Sequence, residues 1–197
     1  MSLFSQLKKL QWKQLQHDEK YHKEICLLTV QRRITHMTLH LSKYSSKIVK
    51  SAFTEDSDVL KKSLIDTVII IFSSANIFNH SIGSKYSKNF DSIQSVGESV
   101  LNSFPTGKHN ILLSLAVEIS STTGNMCKAV ESLDHLEPYA FRESLLDSLH
   151  SLFELSLALA CIVGVENIPE KISDRLYAVE KKNLFFDELG NYKEGYN

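Results

Sequence analysis

Three groups of residues in this chain are of types that do chemistry. Arg32, Arg33, His36 and His40 form a basic cluster. His36 and His40 stand at i and i+4, a spacing that can hold a metal on one helix face. No Glu accompanies them in a zinc-protease motif, and the plainer reading is a solvated basic face. Asp66 and Asp147 form the second group, each inside a strongly apolar segment, 63–72 (SLIDTVIIIF) and 144–153 (SLLDSLHSLF). A carboxylate there is costly unless it is paired or bound to metal. The third group is the hydroxyl run Ser120, Ser121, Thr122 and Thr123 after Glu118. Such a run either lines a polar pocket or back-bonds to helix carbonyls. The sequence carries no Gly-rich phosphate loop, no Ser-His-Asp elbow and no Cys-x-x-Cys pair.

The elements that position these groups read as helices. Leu27, Val30, Ile34, Met37, Leu41, Tyr44 and Ile48 step alternately by 3 and 4. This is an apolar stripe on one helix about 32 Å long. Leu112, Leu115, Ile119, Thr122 and Met126 repeat the pattern at an offset of 85 residues. Segments 63–72 and 144–153 then match at an offset of 81, sharing Ser-Leu-x-Asp and a trailing Phe. Two helix pairs in the same order point to an internal duplication. Thr54 is expected to cap the second helix, with Glu55 and Asp56 in its first turn. Pro138 suits a first helical position, Gly164 a helix end, and Asn167 with Pro169 a restart. A connecting helix is expected over 90–104, closed by Pro105, Thr106 and Gly107. The predicted division is a lead-in helix over 1–20, repeat one over 21–82, a linker and linking helix over 83–107, repeat two over 108–189 and a tail over 190–197. That makes seven helices.

Composition agrees with an all-α helical bundle. The 197 residues include only 7 Gly and 3 Pro, too few turn formers for a sandwich or barrel. Lys and Arg number 22 against 23 Asp and Glu, so charge alone favours neither nucleic acid nor an anionic membrane as partner. The most apolar stretch, 64–78, holds Asp66 and is too short to span a bilayer. Cys26, Cys127 and Cys161 are odd in number and far apart. They read as small core residues of a cytoplasmic protein.

Within repeat two, LAVEISS (115–121), ESLLDSL (143–149), GVENI (164–168) and KKN (181–183) stand in order. This arrangement resembles the MazG-like all-α nucleoside triphosphate pyrophosphohydrolases, a family that includes the dimeric dUTPases. The resemblance implies one helix carrying Glu-x-x-Glu, a second carrying Glu-x-x-Asp, four carboxylates holding magnesium on the nucleotide phosphates, and a later Lys and Asn. Carried over, the metal and catalytic positions fall on Glu118 and Asp147, expected to face each other. Ser121 and Ser144 stand where two more carboxylates belong, with Glu143 one residue away as a possible substitute. Lys182 and Asn183 take the nucleotide-binding positions. In repeat one the same positions fall on Arg33, His36, Ser63 and Asp66, so only the Asp remains. A guanidinium repels magnesium, and Arg33 and His36 become candidate phosphate or charge partners.

The resemblance therefore implies a degenerate MazG-like protein that binds a nucleotide or a protein partner with little or no hydrolysis. The alternatives are an active magnesium-dependent pyrophosphohydrolase using Glu118, Glu143 and Asp147, and an unrelated structural helical bundle. A homodimer is expected, because the 27–48 stripe is longer than one repeat needs.

Overall fold

The computed structural model describes residues 2–105 and 110–191. Among these, nine α-helices and one 3-10 turn are formed and no strand. The all-α expectation holds. Two more short helices are present than the sequence predicted, Lys23–Cys26 and Phe186–Asn191.

Four long helices form the centre. In chain order they are α3 (Val30–Thr54), α4 (Ser57–Ile77), α6 (Ile111–Asp134) and α7 (Phe141–Ile162). On α3 the buried residues Ile34, Met37, Leu41, Ser45, Ile48 and Ala52 recur every three or four positions and point at α4 and α6. On α6 the buried stripe is Leu115, Ile119, Thr123, Met126 and Val130, packed on α3 and α7; Leu112 and Thr122, expected in it, are only half-buried, and Thr123 takes the inward position. The helices α4 and α7 then pack on each other. Phe72 and Phe153, which the 81-residue offset makes equivalent, meet there with ring centroids 5.9 Å apart. Such a tilted pair adds about 0.5–1.5 kcal/mol beyond its buried area.

The outer helices follow a parallel rule. The first helix, α1 (Leu3–Tyr21), packs on α4, and α5 (Ile93–Ser103) packs on α7. The approach of α5 is close: a Cβ at Gly97 would lie 2.6 Å from the Leu157 carbonyl oxygen. The short α2 (Lys23–Cys26) joins α1 to α3, and α8 (Ile168–Glu180) crosses back to pack on α4 and α1. The last helix, α9 (Phe186–Asn191), places Phe186 against Tyr21 and Tyr177.

Several boundaries differ from expectation. Leu27 lies outside α3 and is 77% exposed, and Val30 is exposed too, so the buried stripe starts at Ile34. Thr29 caps α3 instead, accepting from Arg32 N at 3.4 Å. Thr54 ends α3, Glu55 turns the chain in the left-handed region at φ 57°, and Asp56 caps α4 by accepting from Val59 N at 3.1 Å. Pro138 precedes α7, which begins at Phe141, because the extended turn around Tyr139 intervenes. Gly164 does follow α7 with φ 67°. Thr106, Gly107 and most of the tail lie outside the described residues.

By length and apolarity α7, rather than the 64–78 stretch, would suffice to cross a membrane. Here 61% of the apolar stretch of α7 is buried against α4, α5 and α6, the packing of a core helix. The cysteines are free thiols, but Cys127 is exposed and Cys26 and Cys161 are half-buried, so none is a fully buried core residue.

Candidate functional site

A cavity of about 380 Å³ opens between α1, α2, α3, α4 and α8. Helical spacing assembles it. From α3 come Arg33, His36, Met37, His40 and Tyr44, at i, i+3, i+4, i+7 and i+11. From α4 come Asp66, Ile69, Ile70 and Ser73, again on one face. The first helix contributes Gln14, His17 and Asp18; α8 contributes Arg175, Leu176 and Val179. His22, Glu24, Ile25 and Cys26 close the side formed by α2. Thus Arg33, His36 and Asp66, three of the four positions marked in repeat one, converge on one cavity.

The electrostatics of that convergence are those of an ion pair. Asp66 is 8% exposed and accepts from Arg175 Nε at 2.6 Å and from Arg175 Nη2 at 3.1 Å. This fork-on-carboxylate geometry is the strong form of a salt bridge. Hydrogen bonding to Asp66 holds the Arg175 pKa up. Burial first, then the Asp66 charge, pushes Tyr44 above its ordinary value. His40 is pushed down to about 4 by burial, with Lys43, His36 and His22 adding to the effect. It is therefore a neutral imidazole near pH 7, and its ring lies 4.6 Å from that of His36. Elsewhere in the wall, His17 Nδ1 lies 2.9 Å from Glu180 Oε1. Gln14 Nε2 donates to Asp18 Oδ1 at 2.8 Å, and Ser73 Oγ donates to Asp18 Oδ2 at 2.6 Å. Two buried atoms of lining residues have no hydrogen-bond partner among the described residues, Gln14 Oε1 and Arg33 Nε.

The positions marked in repeat two lie elsewhere. Glu143, Ser144 and Asp147 share a shallow groove with Thr122 and Asn125 of α6. Glu118 and Ser121 are exposed on α6 and are not part of that lining. Glu143 and Asp147 are exposed as well, and Ser144 Oγ lies 3.0 Å from the Tyr139 hydroxyl. The groove thus offers two exposed carboxylates. Among the described residues no group of three or more His, Cys, Asp or Glu is arranged to share a metal ion. Lys182 is exposed in the turn after α8, and Asn183 Oδ1 accepts from Phe185 N at 2.9 Å, bracing that turn. Neither Glu118 nor Asp147 lines the cavity that holds Arg33 and His36.

A second polar cluster sits where the 3-10 turn meets α7. Tyr86 donates its hydroxyl to Glu154 Oε1 at 3.1 Å, while Lys85 Nζ lies 2.8 Å from the same oxygen. With that proton spent, the Tyr86 oxygen accepts from His150 Nδ1 at 3.3 Å. His150 Nε2 is then the acceptor for His80 Nε2–H at 2.9 Å. One tautomer of each imidazole satisfies all these contacts. Burial, Lys85 and His80 push His150 down to about 4, against the opposing pull of Glu154 and Asp147.

Reading the sequence alone marked Arg33, His36 and Asp66 but took the basic cluster most plainly as a solvated face, whereas Arg33, His36 and His40 are half-buried in the cavity wall; it missed Gln14, His17, Asp18 and Arg175. A signal for the first two existed: Gln14 and His17 continue the face of α1 that buries Leu7 and Leu10. Polar side chains on a buried face mark a polar interior. Compared with known proteins, the chain matches no family model, no curated protein and no solved structure.

Proposed function

We propose that the protein binds a nucleotide in the cavity between α1, α2, α3, α4 and α8 and hydrolyses it little or not at all, as a degenerate relative of the MazG-like pyrophosphohydrolases. The observation that carries this reading is the replacement of metal chemistry by anion chemistry around Asp66. Both of its oxygens are engaged by Arg175, while Arg33 lines the same space with an Nε that has no partner among the described residues. Arg175 neutralises Asp66 and takes it out of use as a metal ligand, which leaves the Arg33 guanidinium as the group that attracts an oxyanion. The volume falls in the range of roughly 300–1,000 Å³ typical of small-molecule sites. The rings of His36, His40 and Tyr44 line the cavity with Met37, Ile69 and Ile70, a lining suited to a planar ring. In the other half, exposed Glu143 and Asp147 would hold magnesium weakly, since few charged ligands mean low affinity.

A second reading, a docking module for another protein, is favoured by the exposed Phe53 and Val117, which share a groove between α3 and α6 with Val49 and Leu113.

Calorimetric titration with nucleoside mono- and triphosphates, with and without magnesium, tests the first reading. Binding is expected without magnesium and should weaken about tenfold or more in Arg33→Gln, the loss of one charge-assisted contact. Pyrophosphate release is expected at background in both the wild type and Asp147→Asn. Vigorous release that Asp147→Asn abolishes refutes the reading, as does binding that needs magnesium and ignores Arg33→Gln.

A further inference from the structure

The cavity's hydrogen-bonding groups are unevenly satisfied, and the pattern is specific. Gln14 is 2% exposed, and its amide nitrogen is spent on Asp18 Oδ1 at 2.8 Å. Its carbonyl oxygen is buried and has no partner among the described residues. Asp18 is held in place by neutral donors, Gln14 from one side and Ser73 from the other. A carboxylate has about four lone-pair sites, so those two bonds leave acceptor capacity on Asp18. Two acceptors thus stand side by side, locked in place by their own hydrogen bonds. Arg33 supplies the complementary feature, a buried Nε donor with no partner among the described residues. Both ends belong to one space: Gln14, Asp18 and Arg33 line the same cavity, with Cys26 in its wall.

A molecule that fits carries two adjacent N–H donors at one end and an oxyanion at the other. Resting on the nucleotide reading above, we propose that the ligand is a guanine nucleotide, with the N1–H and amino group of the base on Asp18 and Gln14 and the phosphate toward Arg33. Guanine presents two neighbouring donors on that edge. Adenine and cytosine present one donor beside an acceptor, and uracil a single donor between two carbonyls. Each of these would set a lone pair against the Gln14 or Asp18 oxygen, a repulsion that rejects the wrong base. A guanidino acid shares the donor pair and the oxyanion. The aliphatic walls Met37, Ile69 and Ile70 favour the flat purine over a flexible chain.

The test is calorimetric titration of the full chain with GMP, AMP, UMP, guanosine and L-arginine. GMP is expected to bind at least about tenfold more tightly than AMP or UMP, the penalty of an unmet buried acceptor. Guanosine should bind more weakly than GMP, and Arg33→Gln should erase that difference. Gln14→Met, nearly isosteric, should narrow the gap from both sides, lowering GMP affinity by loss of the acceptor and raising AMP affinity by relief of the lone-pair repulsion, with circular dichroism verifying the fold. The wild-type panel alone decides the matter if that variant unfolds. Equal affinity for GMP, AMP and UMP, lost together in Arg33→Gln, overturns the guanine assignment and leaves the nucleotide reading standing. L-arginine binding more tightly than GMP overturns the assignment too. Absence of binding by every nucleotide overturns both.

Discussion

Replacing Arg175 by Met removes the guanidinium that α8 lays across the buried carboxylate of α4, and its effect on stability can be worked out. The pair has two short contacts, 2.6 and 3.1 Å, and Asp66 is 8% exposed. Breaking a fully buried pair by removing one partner costs about 3–5 kcal/mol, because the other charge is stranded. Here the Arg175 side chain is 24% exposed, so water reaches part of the site once it is gone. A loss of about 2–3 kcal/mol is therefore expected, and for a chain of this size that lowers the melting temperature by roughly 4–12 °C. Asp66→Asn should be costly as well, since it leaves the guanidinium without its counter-charge. The double variant should be more stable than the sum of the singles predicts, with a coupling of about 1.5 kcal/mol or more. Urea unfolding followed by circular dichroism measures all four proteins. A coupling under about 0.5 kcal/mol would place the pair with solvent-screened surface bridges and refute the reasoning.

Two further expectations concern the rest of the bundle. Gly97→Ala gains about 1 kcal/mol of helix propensity but drives a Cβ to 2.6 Å from the Leu157 carbonyl oxygen and 2.8 Å from Cys161 Sγ; overpacking of about 1–3 kcal/mol should win, and urea unfolding should show net destabilisation. Because His40 and His150 are pushed from 6.5 down to about 4, the unfolded chain binds more protons than the folded one between those values. Stability should hold above about pH 6.5 and fall as the pH drops toward 4, and His150→Gln should flatten that fall in melting scans. An unchanged pH slope in His150→Gln would assign the effect elsewhere.

Helix content was legible because few turn formers and period-3.6 stripes leave an all-α chain little alternative. The helix ends were less so. Thr54 and Asp56 both can cap, and the choice between them depends on where the chain reverses, at Glu55 in the left-handed region. The stripe beginning at Leu27 continued the right spacing past the end of the helix, since periodicity does not know about the cap at Thr29. Half of the cavity was readable as residue types on α3 and α4. The other half depends on Arg175 reaching Asp66 from 109 residues away, a pairing that local pattern does not encode. The same holds for the exposure of Glu118: its spacing is compatible with a site, but the turn of α6 decides whether it meets Asp147.

The contact of Phe72 with Phe153 has a consequence for the thermodynamics of assembly. The two matching helices close on each other within a single polypeptide, so their association is a unimolecular step. Its strength is set by the effective concentration that the intervening chain imposes, not by how much protein is in solution. Dilution leaves that central packing intact. Any dependence of melting temperature on protein concentration would then report a contact on the outside of the bundle.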